Sequence, residues 1–206
     1  NAQAGAMVGT TCTFNEINTN KEEKYCHAKA FLRPVYESDL KEDLKQIEKI
    51  ADTFAYNKKL RKVVDIVKIQ KNWENFAIFA FKRIKNAKNT LVHGDMFPTN
   101  IIVNEGKISF IDWANACIFA YSMDIGRITS IIDSTTLKPM CPCSQKVIEE
   151  YYNEIKDVLK ISYEDYLKDV HAAQFIELIG HYHPYFADIY SNTIKQKIDE
   201  IVNSYF

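Results

Sequence analysis

The amino-acid sequence predicts a mainly α protein with one small β-hairpin, which is an α+β fold. Apolar residues recur at spacings of three and four over most of the chain, the period of amphipathic helices. Aromatic residues make up 13% of the 206 residues, with only 6 glycines and 5 prolines, so elaborate turns are few. Two β-branched runs around a glycine interrupt the helical period near the middle of the chain and predict the hairpin.

The composition excludes several classes of protein. Hydrophobic residues account for 47% and charged residues for 26%, which is typical of a globular chain of one domain or slightly more. With 26 basic and 27 acidic residues the net charge is -1, so no basic excess indicates nucleic-acid binding. No apolar run reaches the roughly 18–20 residues of a membrane span. The 5 cysteines, an odd number, favour free thiols and a cytoplasmic location.

The first part of the chain is predicted to be helical after a polar lead-in. Residues 1–7 are interpreted as a cloning scar, and residues 8–24 as a loop. Apolar spacing predicts a helix over residues 39–56 and a shorter one over residues 60–67. A third helix is expected to follow Asn72, an N-cap residue type, and to end near Lys88.

The hairpin lies between two further helical regions. Ile101–Val103 and Lys107–Ile111 are the predicted strands, joined by a turn that contains Gly106. The helical period is expected to return after Asp112 and to continue through Ile125 to Ile132. After a break over residues 135–143, helices are expected over residues 144–160, 163–190 and 192–206, with Pro184 ending or kinking the middle one.

Three polar residues around the hairpin indicate chemistry. Asp95 and Asn100 lie in a loop after a short apolar run, and Asp112 follows the second strand of the hairpin. Because a tight hairpin returns the chain beside its start, Asn100 and Asp112 can face one another. Carboxylate and amide oxygens are ligands that suit Mg²⁺, and Asp95 is left to accept a proton. This division of labour is that of kinase phosphoryl transfer.

The stretch from His93 to Trp113 contains H-G-D-x-x-x-x-N followed by I-D-W, and Asp124 follows at the start of a helix. This pattern resembles the aminoglycoside phosphotransferase and choline kinase-like family. The resemblance implies the helical C-lobe of a protein-kinase-like fold over residues 8–206. Within it lie a catalytic loop at 91–100, a metal-binding strand end at 110–113, and a C-terminal helical substrate region at 144–206.

The resemblance also implies roles for individual residues. Asp95 would be the catalytic base, and Asn100 and Asp112 would bind Mg²⁺. His93 and Asp124 would support the catalytic loop structurally. The reaction would transfer the γ-phosphate of ATP or GTP to a hydroxyl of a small molecule. Acceptors in the family include aminoglycosides, choline, ethanolamine, sugars and homoserine.

The N-lobe of such a kinase is not recognisable in the sequence. Its glycine-rich loop and strand lysine have no counterpart, since the only glycines before Gly94 are Gly5 and Gly9. We therefore expect a C-lobe without its N-lobe, weak or inactive alone, with a bare apolar surface through which the chain could self-associate. Ala114 stands where the family often carries an acid.

Two other functional classes stay open at this stage. The chain could be a non-catalytic module, derived from a kinase lobe, that binds a small molecule or a partner. It could also be a helical scaffold for another protein. Cys141 and Cys143 could ligate a metal together with Cys26 or His27, although C-x-C is not the usual zinc spacing.

The sequence also suggests structural or binding roles for several other side chains. Phe110 and Trp113 are expected in the core. The lysine-rich stretches 57–71 and 82–88 are expected to be solvated helix faces. Glu177 and Asp188 are the acidic residues that could help to bind a cationic substrate.

Overall fold

The computed structural model describes residues 57–205, which form six helices and two small antiparallel sheets. The helices are α1 (Asn57–Ile69), α2 (Glu74–Asn86), α3 (Ser122–Ser130), α4 (Ser144–Leu159), α5 (Tyr163–His181) and α6 (Ile189–Asn203). The strands are β1 (Asn89–Val92), β2 (Ile101–Asn104), β3 (Lys107–Phe110) and β4 (Cys117–Ala120). This part of the chain is mostly helical, as predicted. The predicted helix over residues 39–56 lies outside the described residues.

Helix α5 is the centre of the fold. It contacts α1, α2, α3, α4 and α6, so it has neighbours on every side. Its buried residues accordingly include the consecutive pairs Ala172 and Ala173, and Phe175 and Ile176, and are not confined to a single stripe of the helix. Phe175 is fully buried and packs its ring against Trp73, which precedes α2, and Phe76 of α2. A second, smaller cluster of buried side chains lies between α4 and the first half of α5, where Tyr166 is fully buried.

The two sheets are two-stranded and antiparallel. In one, β1 pairs with β4, from Asn89 opposite Ala120 to Val92 opposite Cys117. In the other, β2 and β3 form the predicted hairpin, with Asn104 opposite Lys107. The two residues of its turn, Glu105 and Gly106, both have positive φ angles of 48° and 76°. Such a turn matches the twist of the strands that it joins.

Two local predictions are wrong. A short 3₁₀ turn (Trp113–Asn115) and then β4 follow Asp112, and helix α3 begins only at Ser122. All four residues of β4 are buried, so its sequence lacks the alternation that reveals a half-buried strand. Asn72 is not the N-cap of α2. It lies in a 3₁₀ turn (Lys71–Trp73), and Trp73 precedes the helix without a side-chain hydrogen bond.

The C-terminal helices follow the predicted order with shifted ends. Helix α5 ends at His181, before Pro184, as the proline predicts. Helix α6 begins at Ile189, three residues earlier than predicted. Asp188 explains this start, because its side chain accepts a hydrogen bond from the backbone N–H of Ser191 at 2.7 Å. No helix within residues 57–205 has both the length and the apolar character to cross a bilayer.

Helices α3 and α5 approach closely at Gly126. A Cβ atom at this position would lie 2.5 Å from the Cβ of Ala173 and 3.0 Å from its carbonyl carbon. Real Cβ atoms do not approach so closely, so the two helices can pack at this distance only because residue 126 has no side chain. The contact fixes the position of α3 relative to the central helix.

We expect Gly126→Ala to lower the free energy of unfolding. Overpacking typically costs about 1–3 kcal/mol, which exceeds the gain of up to about 1 kcal/mol in helix propensity. Gly180→Ala is the matched control, because Gly180 also lies in a helix but an added Cβ would meet no atom within 4 Å. Urea unfolding of both variants should show destabilisation by the first and slight stabilisation by the second. Equal effects would contradict the close helix contact.

The described cysteines differ in accessibility, which gives a chemical test of the fold. Cys117 in β4 is buried, and burial, with a smaller contribution from Asp124, raises the pKa of its thiol to about 12. Since the thiolate is the reactive form, we expect iodoacetamide at pH 8 to label Cys141 and Cys143 and to spare Cys117 until the protein is unfolded. Peptide mass spectrometry reports each site. Rapid labelling of Cys117 in the native protein would contradict the buried β1–β4 pairing.

Candidate functional site

The candidate site is built on the loop of residues 93–100, here called the Asp95 loop, which connects β1 to β2. Gly94 has a φ angle of 78°, a conformation that L side chains rarely adopt. A Cβ atom there would also lie 2.3 Å from the carbonyl oxygen of Asn115. Glycine is therefore required at this position for two independent reasons.

His93 ties the Asp95 loop to the hairpin. Its side chain is buried, and its ring makes two hydrogen bonds to backbone groups. Nδ1 accepts from the N–H of Asp95 at 3.3 Å, and Nε2 donates to the carbonyl of Ile111 at 2.8 Å. An N–H can only donate and a carbonyl can only accept, so these partners assign the proton to Nε2. Both ring nitrogens are thus engaged in holding the loop.

Asn100 and Asp112 are brought together by the pairing of the hairpin. The backbone N–H of Ile111 donates to the carbonyl of Asn100 at 3.0 Å, which extends the β2–β3 pairing by one residue. Asp112 therefore lies next to Asn100 at the open end of the hairpin. It is exposed and has a φ angle of 62°, a left-handed conformation that aspartate tolerates better than most residues.

Asn100 also contacts Asp95. Its Nδ2 donates to the backbone carbonyl of Asp95 at 2.9 Å and lies 3.3 Å from the Oδ2 atom of the same residue. The amide nitrogen therefore faces Asp95, and the amide oxygen is left as an acceptor. Three of the predicted site residues, Asp95, Asn100 and Asp112, thus lie at one edge of the fold.

Asp124, in the first turn of α3, holds the backbone of the Asp95 loop. One carboxylate oxygen accepts from the N–H of His93 at 2.6 Å, and the other from the N–H of Gly94 at 3.1 Å. Burial raises the pKa of Asp124, and these two hydrogen bonds oppose that effect. The two contacts fix the point at which the chain leaves β1 and enters the loop.

Arg127, which the sequence analysis did not single out, forms an ion pair with Asp95. It lies three residues after Asp124 on the same face of α3, so one helix contacts both the backbone and the carboxylate of the loop. Its guanidinium also donates to Glu177 of α5 at 2.9 Å. The position of Arg127 three residues after Asp124 was the available signal in the sequence. A local sequence pattern, however, does not predict which residues an arginine will contact.

Glu177 does not have the surroundings expected of a ligand for a cationic substrate. Its side chain is fully buried and accepts hydrogen bonds from Arg127 and from Lys59 of α1, the latter at 2.8 Å. Asp188 is the N-cap residue of α6. Both acids are thus engaged within the fold.

Two further expectations about side chains are wrong. The lysine-rich stretches are not wholly solvated faces, because Lys59 reaches Glu177, Lys62 donates to the carbonyl of Gly180 at 2.6 Å, and Arg83 pairs with the buried Asp169. Trp113 is not in the core. It is 37% exposed, its ring lies 4.6 Å from that of His93, and its Nε1 donates to a backbone carbonyl of β3.

The Cys141 and Cys143 sulfurs are 4.0 Å apart. Among residues 57–205 no group of three or more His, Cys, Asp and Glu side chains is arranged to hold a metal ion. The other suggested ligands, Cys26 and His27, lie outside the described residues. Cys141 and Cys143 alone provide two sulfurs, fewer than the four ligands of a structural zinc site.

We expect Asp124→Asn to loosen the Asp95 loop. The amide group retains one oxygen but places an NH₂ donor against the second N–H, so the amide of His93 or of Gly94 loses its acceptor. An unsatisfied buried N–H costs about 1–3 kcal/mol, which corresponds to roughly 5- to 150-fold faster hydrogen exchange of the amide that loses its acceptor.

Asp133→Asn is the matched control for this measurement. Asp133 accepts from the N–H groups of Thr135 and Thr136 in an exposed turn, so its replacement should affect only that turn. Unchanged exchange at His93 and Gly94 in Asp124→Asn would show that the carboxylate does not hold the loop.

Comparison with known families and proteins identifies the family of this chain. The sequence profile of the phosphotransferase enzyme family matches residues 26–138, more than half of the chain and the whole of the Asp95 loop, the hairpin and α3. No curated protein and no solved structure matches the chain. On the strength of the family match, this chain belongs to the phosphotransferase enzyme family.

Proposed function

We propose that this chain carries the catalytic site of a small-molecule kinase. The enzyme would transfer the γ-phosphate of ATP or GTP to a hydroxyl group of a small molecule. The observation that supports this most directly is the convergence of Asp95, Asn100 and Asp112 at the open end of the hairpin. It rests on the Asn100–Asp95 hydrogen bonds and on the backbone pairing of Asn100 with Ile111.

In the proposed reaction Asp95 is the general base. Its carboxylate takes the proton of the acceptor hydroxyl as the hydroxyl oxygen forms a bond to the γ-phosphorus. The bond between the γ-phosphorus and the bridging oxygen breaks, and the nucleoside diphosphate leaves with the bonding electrons. Asp95 suits this role because its side chain is 31% exposed, whereas Glu177 behind it is fully enclosed.

Asn100 and Asp112 would hold Mg²⁺. Their free oxygens, an amide carbonyl and an exposed carboxylate, are the hard donors that Mg²⁺ prefers. Two protein ligands are sufficient, because Mg²⁺ in kinase sites is bound by one or two carboxylates together with the phosphates. The ion would neutralise charge on the transferred phosphate.

The proposal extends to the rest of the chain. The acceptor hydroxyl would be bound near the C-terminal helices of residues 144–206, and the nucleotide near the hairpin. We expect the 206-residue chain alone to turn over little nucleotide, because no glycine-rich loop or strand lysine is recognisable in its sequence. Exposed apolar side chains, including Val103 and Ile108 on the hairpin, support the proposal that the chain self-associates through the surface that an N-lobe would otherwise cover.

The test is an assay of nucleoside diphosphate release with ATP and with GTP across a panel of hydroxyl compounds. It is run with the complete gene product and with the 206-residue chain. We expect activity in the complete product, reduced roughly 10²- to 10⁴-fold by Asp95→Asn, the range of general-base contributions. Asp133→Asn, which changes an aspartate in an exposed turn, should leave the activity unchanged.

A binding measurement separates the enzyme from a non-catalytic module. We expect Mg²⁺ with nucleotide to raise the thermal unfolding temperature of the complete product, and Asp112→Asn to abolish the part of the shift that depends on Mg²⁺. A protein that binds nucleotide but phosphorylates no compound of the panel would favour a binding module. Full activity of Asp95→Asn would refute the proposed base.

A further inference from the structure

Arg127 links the proposed base to the interior of the fold. Its two terminal nitrogens bond to carboxylates on different elements, Nη2 to Oδ1 of Asp95 and Nη1 to Oε2 of Glu177. We propose that Arg127, held by Glu177, is a positioning residue that fixes the orientation of the Asp95 carboxylate for the incoming hydroxyl. This inference rests on the proposed function of Asp95 as the base.

The two oxygens of Asp95 have different surroundings. Oδ1 is engaged by the guanidinium of Arg127, whereas Oδ2 lies 3.3 Å from the amide nitrogen of Asn100, a long and therefore weak contact. The ion pair thus fixes rotation of the carboxylate about its side-chain bonds. It leaves Oδ2, on the side of the proposed metal ligands, as the oxygen that can take a proton from the acceptor hydroxyl.

Arg127 is itself held in place. Its side chain is only 11% exposed, and it lies behind the Asp95 loop with Phe97, whose ring centre is 5.9 Å from its guanidinium carbon. Glu177 has no exposed side-chain surface and binds both Arg127 and Lys59. Arg127 of α3 is therefore held by Glu177 of α5, which Lys59 of α1 also contacts, so the helices as well as the loop determine where the guanidinium lies.

The arrangement requires a guanidinium group. A planar fork with separate nitrogens can bond to two carboxylates in different directions, whereas a lysine ammonium is a compact charge on a flexible stem. Lysine at position 127 would keep the positive charge but could not reproduce both contacts in one fixed geometry. The variant Arg127→Lys therefore distinguishes the effect of the fixed guanidinium geometry from the effect of the positive charge.

A second arginine provides a matched control. Arg83 of α2 also pairs with buried carboxylate on α5, donating to Asp169 at 2.6 Å, and it reaches Asp165 at 3.2 Å. Like Arg127 it joins a neighbouring helix to α5, but it has no contact with the Asp95 loop. A general loss of helix packing should follow from replacing either arginine, whereas an effect on the Asp95 carboxylate should follow only from replacing Arg127.

The kinetic test uses the complete gene product with Arg127→Met, Arg127→Lys and Arg83→Met. We expect Arg127→Met to lower kcat roughly 10- to 100-fold, the cost of a misplaced reacting group, with the nucleotide KM within about 2-fold of its original value. Arg127→Lys should recover part of this loss. Arg83→Met should leave kcat within about 2-fold. Adding Arg127→Met to Asp95→Asn should cause no further loss, because a positioning residue has no effect once its base is removed.

A second measurement does not depend on activity. We expect Arg127→Met to speed hydrogen exchange of the Asp95 and Asn100 amides, both hydrogen-bonded within the loop, at least about 10-fold, and Arg83→Met to leave them unchanged. Inactivity of the unmodified protein, or full activity of Asp95→Asn, would refute the proposed function. The hydrogen-exchange rates of the loop amides would then still decide whether Arg127 orders the loop.

Several outcomes overturn the inference while leaving the proposed function intact. One is an Asp95-dependent enzyme in which Arg127→Met keeps its kcat. Others are an equal loss of kcat in Arg127→Met and Arg83→Met, or a further loss when Arg127→Met is added to Asp95→Asn. Unchanged exchange of the loop amides in Arg127→Met would overturn the inference by itself.

Discussion

The site depends on one steric constraint, the close approach of helices α3 and α5 at Gly126 and Ala173. Because this distance is fixed, the adjacent residue Arg127 can reach Glu177 one turn further along α5. Asp124, one turn earlier on α3, then lies against the backbone of the Asp95 loop. The absence of a side chain at Gly126 thus determines where Asp124 and Arg127, the two charged residues of α3, make their contacts. The position of the Asp95 loop therefore depends on the packing of α3 against α5.

The charged side chains around the site contribute more to the position of the Asp95 carboxylate than to the stability of the fold. Burying an ion pair removes two charges from water, and that cost often equals or exceeds the attraction that is gained. Glu177 is fully buried, and its charge is compensated by Arg127 and Lys59. Well-packed apolar residues could stabilise the helices equally well, but they could not orient a carboxylate at the surface. Asp95 has the most exposed side chain of this group, at 31%.

The sequence reveals those parts of the site whose partners are close along the chain. His93, Asp95 and Asn100 lie within one loop, and the hairpin brings Asp112 back beside them, so motif spacing and strand pattern suffice. Asp124 belongs to the family pattern, and its contacts with the loop are seen in the structure.

Contacts between residues that are distant along the chain could not be predicted in this way. Arg127 is 32 residues from Asp95 and 50 from Glu177, and Lys59 is 118 from Glu177. Such pairs depend on how the helices pack, which no periodicity describes. The same holds for β4, whose pairing partner β1 lies before the hairpin and whose four residues are all buried. The exposed position of Trp113 was missed because a large apolar side chain is usually buried.

The β1–β4 pairing has a consequence for how the site is lost and regained. This short ladder joins the two ends of the segment from His93 to Ala116, which contains the catalytic candidates Asp95, Asn100 and Asp112. The segment therefore leaves the helical body and returns to it, held at its base by the four-residue ladder and along the Asp95 loop by Asp124 and Arg127. Release of the three residues together would require the ladder and these contacts with α3 to open together. Local unfolding in proteins often occurs in such contiguous cooperative units. The site would then form or unfold as one unit. A ligand that contacts both the loop and the hairpin would shift the local unfolding equilibrium of the whole segment toward the folded state.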